Sequence, residues 1–398
     1  MTPLSILMIS HHRRHKAHGR SHAMAKSLVQ RGHKVTLMVI SERRRFGVEE
    51  TEWDGVRVIE SPDMLWGRLR SGWDIWDMLN RMFFLSREKA RYDLVHCFET
   101  RPATIYPALY YLKRHKIPLL TDWNDWFGRG GIVDMPLLRP RWYRILFGGL
   151  ETYYEEAFRK RGDGLTVIST ALARRASALG IAQDRICLIS GGAFPELFSM
   201  RSKEECRSRM GFSNSDPIIC FSSGDSHIDM EPVMAAVAKI AGKYPSVKLM
   251  ITGKIGKHVL RQAREYGIHQ NLHLTGFVPF EELNWYMGCA DVFVLPFPQT
   301  VYNAGRWPNK LGDYLCAGRP TISNPVGDVK TFFENNEIGL LADFDQNDFY
   351  TKIIYIIENP ELALRYGENA RRVAENVLDW KIKVRELENF YYRVINLH

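Results

Sequence analysis

The sequence predicts an α/β protein of two doubly wound, Rossmann-like domains facing across a cleft, and three observations predict it. Short, near-continuously apolar runs alternate with helical segments along all 398 residues, which is the pattern of parallel strands covered on both faces. The pattern restarts after SGGAFPELFS (190–199), a stretch rich in Gly, Pro and Ser. The length suits two or three domains at about 150 residues each.

In the first half the strands are read at 4–10, 34–40, 56–60, 93–97, 118–122, 164–169 and 186–190. In the second half they are read at 217–223, 247–253, 272–276, 291–297, 320–324 and 339–343. Domain boundaries follow at 1–190 and 191–378. The closing segment DWKIKVRELENFYYRVINLH reads as one helix. Its aromatic stripe, Phe390, Tyr391 and Tyr392, is read as packing. Ligands in such sheets bind outside the carboxyl ends of the strands, so those ends are where chemistry is sought.

Composition narrows the classes. The longest apolar runs have strand length, far short of the roughly 20 residues of a membrane span. The opening MTPLSILMISHH has an apolar run of about five residues and no cleavage site, so it reads as a strand and not a signal peptide. Six cysteines are scattered without a CxxC, which fits reduced, buried thiols of a cytoplasmic protein. Residues 1–190 hold 31 Lys and Arg against 20 Asp and Glu, whereas 191–398 hold 23 against 25. The first half therefore expects an anionic partner: a membrane surface, a phosphorylated acceptor or nucleic acid. No nucleic-acid motif supports the last.

The most informative segment is NAGRWPNKLGDYLCAGRP (303–320). A helix is expected from Lys310 to Ala317, stopping at Gly318. Lys310 and Asp313 share a face near its start. A cation at a helix N-terminus attracts phosphate, and a carboxylate one turn on accepts from a ribose diol. An ordinary amphipathic helix with a surface Lys–Asp pair fits the same spacing.

The end of the first strand opens a loop rich in cations and histidines (11–20) without GxGxxG, which counts against a dinucleotide-binding oxidoreductase. Histidines 11, 12, 15, 18 and 22 have no carboxylate or cysteine beside them, so a metal site is disfavoured. A basic loop facing an anionic acceptor and a merely solvated loop both fit. The fifth strand ends in TDWNDWFGRGG (121–131), where Asp122, Asn124 and Asp125 crowd beside two tryptophans. Aromatic faces with polar neighbours suit a sugar ring, and GRGG is expected to be mobile. Buried Trp residues with capping Asp and Asn are the alternative. Segment 64–84 holds Trp66, Trp73 and Trp76 with three arginines. It fits an interfacial helix or a core-packing one.

With these motifs in view, the chain resembles the GT-B glycosyltransferases of the large retaining, family 4-like group. That group includes phosphatidylinositol mannosyltransferases, sucrose synthases and bacterial cell-surface sugar transferases. DLVHCFE and LLTDWND resemble its fourth and fifth strand segments. NLHLTGFVPFEELNWYMGCADVFVLPF and KLGDYLCAGRPTISNPVGDVKTFFENNEIGLLAD resemble its donor region more closely. The resemblance implies a C-terminal helix (about 379–398) crossing back to the first, acceptor-binding domain, and a donor-binding second domain. It implies donor contacts at Ser223, Gly224, Lys254, Asn303, Arg306, Lys310, Leu311 and Asp313. It implies acceptor contacts at His18, Gly19, Arg20 and Glu99, and catalytic roles among Asp122, Asn124, Asp125, Arg306 and Lys310.

The chain departs from the pattern in three places. Of the usual glutamate pair, the first falls at Gly305 and the second at Asp313. The usual catalytic His falls at Asn124, which cannot act as a base. The usual Arg and Lys after the first strand of the donor domain are absent from SSGDSHIDMEP. The implied activity is retaining transfer from a nucleotide-diphospho-sugar to a lipid-linked or otherwise anionic glycan at an anionic membrane, with no metal and no cofactor. A nucleotide-sugar 2-epimerase shares the fold, but the resemblance follows the transferase donor region. A non-catalytic nucleotide-sugar-binding protein stays open, because the first glutamate and the histidine are missing.

Overall fold

A computed structural model describes residues 2–13, 19–64, 71–135, 141–222 and 230–398. The chain divides into two compact units, Met1–Ser190 with Trp380–His398, and Gly191–Asp379.

The first unit runs β1 (Ser5–Arg13), α1 (Arg20–Gln30), β2 (Lys34–Ile40), β3 (Glu49–Trp53), β4 (Val56–Ser61), α2 (Ile75–Arg87), β5 (Leu94–Phe98), α3 (Pro102–Leu112), β6 (Leu119–Trp123), α4 (Arg141–Arg161), β7 (Gly164–Val167), α5 (Thr170–Ala178) and β8 (Ile186–Leu188). Its sheet has the order β3-β4-β2-β1-β5-β6-β7-β8. The apolar runs all become strands because the central ones are buried on both faces; β5 and β6 are buried at every position. The sequence reading lacks β3, whose EETEW has no apolar run. It forms as an antiparallel edge strand on β4, with Trp53 opposite Val56. The intervening Asp54 and Gly55 both have positive φ, 51° and 77°, as a two-residue hairpin turn requires. Three glutamates on that edge discourage further strand pairing.

The second unit runs α6 (Lys203–Met210), β9 (Ile218–Ser222), α7 (Glu231–Lys243), β10 (Lys248–Thr252), α8 (Lys257–Glu265), β11 (Leu272–Gly276), α9 (Phe280–Gly288), β12 (Val292–Leu295), α10 (Val301–Ala304), α11 (Lys310–Cys316), β13 (Thr321–Ser323), α12 (Asp328–Asn336), β14 (Gly339–Leu341), α13 (Gln346–Glu358) and α14 (Pro360–Val373). Its six strands are parallel in the order β11-β10-β9-β12-β13-β14. The chain leaves β9 toward β10 on one side and returns to β12 on the other, so the topological switch point lies between β9 and β12.

The last helix, α15 (Trp380–Leu397), belongs to the first unit. Its buried face includes Trp380, Val384, Leu387, Phe390 and Tyr391. Glu388 takes bonds from Arg31 Nε and His33 Nε2, both at 2.8 Å. Tyr391 Oη pairs with His96 Nδ1 at 2.7 Å inside the sheet layer. The six cysteines are free and buried. No described helix is long and apolar enough to cross a membrane.

Tyr391→Phe strands a fully buried imidazole nitrogen and should cost about 1–3 kcal/mol of stability. A lowered unfolding midpoint in denaturant checks this, and an unchanged midpoint contradicts it.

Candidate active site

In the second unit the switch point gathers the motif of 303–320. Tyr314 Oη accepts from the Ser222 amide at 2.8 Å, and its ring stacks on Phe293 at 4.2 Å and 6°. These contacts pin α11 to the carboxyl end of β9. Lys310 opens α11 with its Nζ 4.5 Å from the centroid of the Phe221 ring. Asp313 follows one turn later, half-buried. Loss of hydration pushes its carboxyl up to about 7, against the pull of the Lys310 charge. A cation and a carboxyl that takes its proton near neutrality thus share one short helix. With only 7 residues, α11 offers little dipole, so the positive charge at this place comes from side chains.

Arg306 adds a second cation. It donates to Tyr302 Oη at 3.1 Å and lies over the rings of Phe297 and Tyr302. Gly305, at the place of the missing glutamate, caps α10. The other expected donor residues divide. Asn303 is 5% exposed and spends its amide on the Pro298 carbonyl at 2.7 Å, so it builds the turn. Leu311 is wholly buried and serves as core beneath α11. Lys254 is exposed on the segment after β10. Ser223 and Gly224 lie outside the described residues.

In the first unit the strand ends are occupied by buried charge. Asp122 has no exposure. Its carboxylate takes Arg20 Nε and Nη2 at 2.9–3.0 Å and Thr166 Oγ1 at 2.5 Å. Arg20 spends its remaining nitrogen on the carbonyls of Ile189 and Ser190, at 2.6 and 3.2 Å. This corrects two expectations. Arg20 as an acceptor contact and Asp122 as a catalytic carboxylate are instead partners in an enclosed ion pair, their bonding groups saturated. Glu99 has a positive φ of 66° and is 3% exposed. It accepts from the Asn124 amide at 3.1 Å and from Arg159 Nη2 at 2.5 Å; burial raises its carboxyl, and Arg159 opposes. Glu99 too is a support and not an acceptor contact.

What this framework presents is Asn124. Its backbone is fixed by Glu99, while its side-chain Oδ1 is buried without a hydrogen-bond partner. Asp125 sits half-buried beside it. Gly19 is exposed at the cap of α1, and His18 lies outside the described residues. Among the described residues, no three His, Cys, Asp or Glu side chains gather as a metal site would.

The loop after β6 is held and not free, which overturns its reading as mobile. Glu155 of α4 accepts from Trp123 Nε1 and from the amides of Phe127 and Gly128, at 2.7–3.0 Å. Thr152 Oγ1 accepts from the Arg129 amide at 3.0 Å. Glycine is needed here for close approach: a Cβ on Gly131 would lie 2.0 Å from the Trp126 carbonyl oxygen, and one on Gly128 2.2 Å from Glu155 Oε2. Trp123 is fully buried under Arg159, so it is core and offers no face to a sugar. Sequence reading missed Glu155, Thr152, Arg159 and Thr166, which lie 23 to 60 residues from what they hold. It also missed Trp307, which is 5% exposed and packs so closely on Gly191 that a Cβ there would lie 2.2 Å from the indole.

Two family models match the chain, one described as glycosyltransferase family 4 over residues 20–196 and one as glycosyl transferases group 1 over 217–359. The chain belongs to the family 4-like GT-B glycosyltransferases. Among relatives of this glycosyltransferase, an uncharacterized glycosyltransferase of Methanocaldococcus jannaschii is 25% identical over 130 residues, 32% of each chain. The match thus spans about a third of that relative's length. Sucrose-phosphate synthase of Thermosynechococcus elongatus superimposes with a TM-score of 0.78 at 17% identity, covering 99% of this chain and 100% of that one. Anabaena HepE, solved with UDP and glucose, does so at 0.71 and 13% identity, covering 98% and 100%. These two likenesses are of fold.

Two predictions separate the roles. Asp122→Ala leaves Arg20 buried and uncompensated and should cost about 3–5 kcal/mol, lowering the melting temperature. Asn124→Ala should leave the melt unchanged within about 0.5 kcal/mol and act on activity alone. Equal melts for the two variants contradict the division.

A further prediction concerns pH. The Asp313 carboxyl is raised on folding, so its stabilisation is complete below about 4 and lost as pH rises through about 7. Asp313→Asn should be more stable than the parent at pH 8, with a flatter melt profile from pH 5 to 8. If a ribose diol donates to the ionised carboxylate, nucleoside diphosphate binding should tighten from pH 6 to 8 in the parent and not in the variant. Calorimetry at both pH values checks this.

Proposed function

We propose that this glycosyltransferase is a retaining, metal-independent enzyme. It moves a sugar from a nucleotide-diphospho-sugar to a lipid-linked or otherwise anionic glycan at the cytoplasmic face of a membrane. The observation that carries the donor half is the placement of Lys310 and Asp313 at the switch point of the second sheet: a cation for the diphosphate and, one turn away, a carboxyl for the ribose. Anabaena HepE is held with UDP-glucose, which makes UDP-glucose the first donor to test. The acceptor half rests on the basic excess of residues 1–190 and on α2, whose outward side carries Ile75, Leu79 and Phe83.

The chemistry needs no strong base. The bond between the anomeric carbon and the phosphate oxygen breaks, and the acceptor oxygen bonds to the anomeric carbon on the same face. The acceptor's proton passes to the leaving phosphate oxygen. Lys310 and Arg306 stabilise the charge that grows on the diphosphate. Asn124, with a free carbonyl oxygen, accepts from a sugar hydroxyl. Asp122 takes no proton in this scheme, because its oxygens are spent on Arg20 and Thr166.

Transfer of labelled glucose from UDP-glucose to a membrane lipid extract tests the proposal. Lys310→Ala and Arg306→Ala should each lower kcat by about 10²–10³-fold with a smaller change in KM, and excess EDTA should leave the parent rate unchanged. A purely KM effect removes the leaving-group role, and rescue from EDTA by Mg²⁺ or Mn²⁺ removes metal independence. Binding of UDP-glucose with no turnover toward any acceptor or water removes the enzymatic reading.

A further inference from the structure

The second unit holds a cavity of about 550 Å³ apart from the site around Lys310. Asp291 and Pro320, which directly precede β12 and β13, lie in its wall. The cavity therefore sits at the amino ends of those strands, whereas the chemistry of this sheet gathers at the carboxyl ends. Its apolar wall is Met200, Ile356, Ile357, Pro360, Ala363 and Leu364. Met200 and Leu364 are 53% and 65% exposed, so apolar side chains line the mouth as well as the interior. A hollow of this size falls in the range that small molecules occupy.

One charge in that wall has no opposite. Arg319 donates from Nε to the Ala290 carbonyl at 3.2 Å. Its Nη1 goes to the carbonyls of Ala317 and Gly318 at 3.5 and 3.1 Å, and its Nη2 to those of Arg201 and Gly288 at 3.2 and 2.8 Å. All its N–H groups are thus spent on neutral oxygens, and among the described residues no carboxylate pairs with it. Asp291, the acid in the same wall, is taken by Lys203 and Arg207, both at 2.7 Å. Loss of hydration works against the Arg319 charge and lowers its pKa. Arg201, also in the wall, adds a donor. Its Nε is buried without a hydrogen-bond partner, while its Nη1 meets Glu205 at 3.3 Å and its guanidinium lies 3.6 Å from the centroid of the Trp285 ring.

These features select a ligand. A buried cation without a counter-charge is stabilised by an anion, and an apolar hollow by an apolar body. The anion finds one spare N–H, on Arg201. A carboxylate suits so few donors, whereas a phosphate brings three strong acceptor oxygens and asks for more. We propose that this cavity binds a medium-chain carboxylate, its alkyl chain among Ile356, Ala363 and Leu364 and its charge toward Arg319 and Arg201. Occupancy is felt at α11, because Arg319 grips the carbonyls of Ala317 and Gly318 that directly follow that helix. Hydrogen bonds from a charged donor weaken as its charge is shared, so the bound anion loosens that end of α11 and lowers affinity for the nucleotide. The site stands without the proposed donor role of α11; the coupling rests on it.

The test uses the full chain and laurate below its micelle concentration, followed by calorimetry and by displacement of a dansylated undecanoate. Dodecanol and dodecyltrimethylammonium, of the same chain length, are the controls. Laurate should bind once per chain, dodecanol at least about tenfold more weakly, and the cation more weakly still. Ala363→Trp places an indole in the hollow and should abolish binding of laurate. Arg201→Met keeps a stem against Trp285 and removes the donor, so it should lose at least about tenfold for laurate and nothing for dodecanol. Both positions are half-buried, and a melt matching the parent's is required before either variant is compared. Arg319→Met strands the carbonyls it holds and is not the variant of choice. The comparison of laurate with dodecanol in the parent decides the anion site whatever the variants' melts.

Equal affinity of the parent for laurate and dodecanol overturns the anion site. Undiminished binding to a folded Ala363→Trp places laurate elsewhere and overturns the cavity. Several equivalents bound per chain mean adsorption to the surface and overturn it too. UDP affinity should fall at least about fivefold in saturating laurate, and laurate affinity by the same factor in saturating UDP. Unchanged UDP affinity with laurate bound overturns the coupling alone. Failure of UDP to bind at all refutes the donor reading of α11, and with it the coupling, while the cavity is judged by laurate.

Discussion

The ion pair between Arg20 and Asp122 is the contact on which the first unit's functional end depends. It is enclosed, so it is stable only while every polar atom has a partner. The structure meets that condition by recruitment. Arg20 opens α1 and reaches β6 through Asp122, then the carbonyls of Ile189 and Ser190, the last residues before the chain leaves the unit. Asp122 takes Thr166 from β7, whose hydroxyl also meets His96 of β5 at 3.1 Å, and His96 meets Tyr391 of α15. Burial pushes His96 down to about 4, with Asp122 opposing, so the relay holds a neutral imidazole at physiological pH. Lys383 of α15 closes the circuit on Ser190 Oγ at 2.6 Å, its ammonium pushed down to about 8 by burial and then by Arg20. Three strands, two helices and the exit of the chain are thereby fixed to one another by polar contacts that tolerate no loose end.

The same economy governs the loop after β6. Its amides are taken by Glu155 and Thr152, its start by Glu99, and its tryptophan by Arg159. Most of the chemistry-bearing residues crowded there are consumed in holding the backbone. Asn124 keeps a buried side-chain oxygen without a hydrogen-bond partner. In the second unit the division is similar. Tyr314, Leu311 and Trp307 place the helix, and it displays Lys310 and Asp313, with Arg306 just ahead of it.

The strands were legible because a doubly covered sheet demands apolar residues at successive positions, and thirteen runs met that demand. β3 was not, because an edge strand needs no apolar run; its readable signal was the Asp54–Gly55 turn. Lys310 and Asp313 were legible as a pair because helical spacing places them together without further knowledge. Arg20 and Asp122 were not, because they lie 102 residues apart and only the fold brings them into contact. Gly128 and Gly131 were misread in kind: absence of a side chain suggested freedom, whereas here it permits the backbone to be gripped. The outward apolar stripe on α4, Trp142, Ile145, Leu146, Leu150 and Tyr153, was hidden for another reason. Periodicity shows that a helix has two faces, and ordinarily the apolar one is turned inward.

That reversal has a physical origin in the site itself. The backbone amides of the loop and the enclosed Glu99 must be met by polar groups from whatever helix covers them. α4 covers them, so its inward face has to carry Glu151, Thr152, Glu155 and Arg159. An amphipathic helix whose polar side is committed inward has only its apolar side left to present. In water that arrangement exposes Trp142, Ile145 and Leu146 at a cost. The inward face of α4 thus answers the demand for a rigid polar loop, and its outward face is what that demand leaves over.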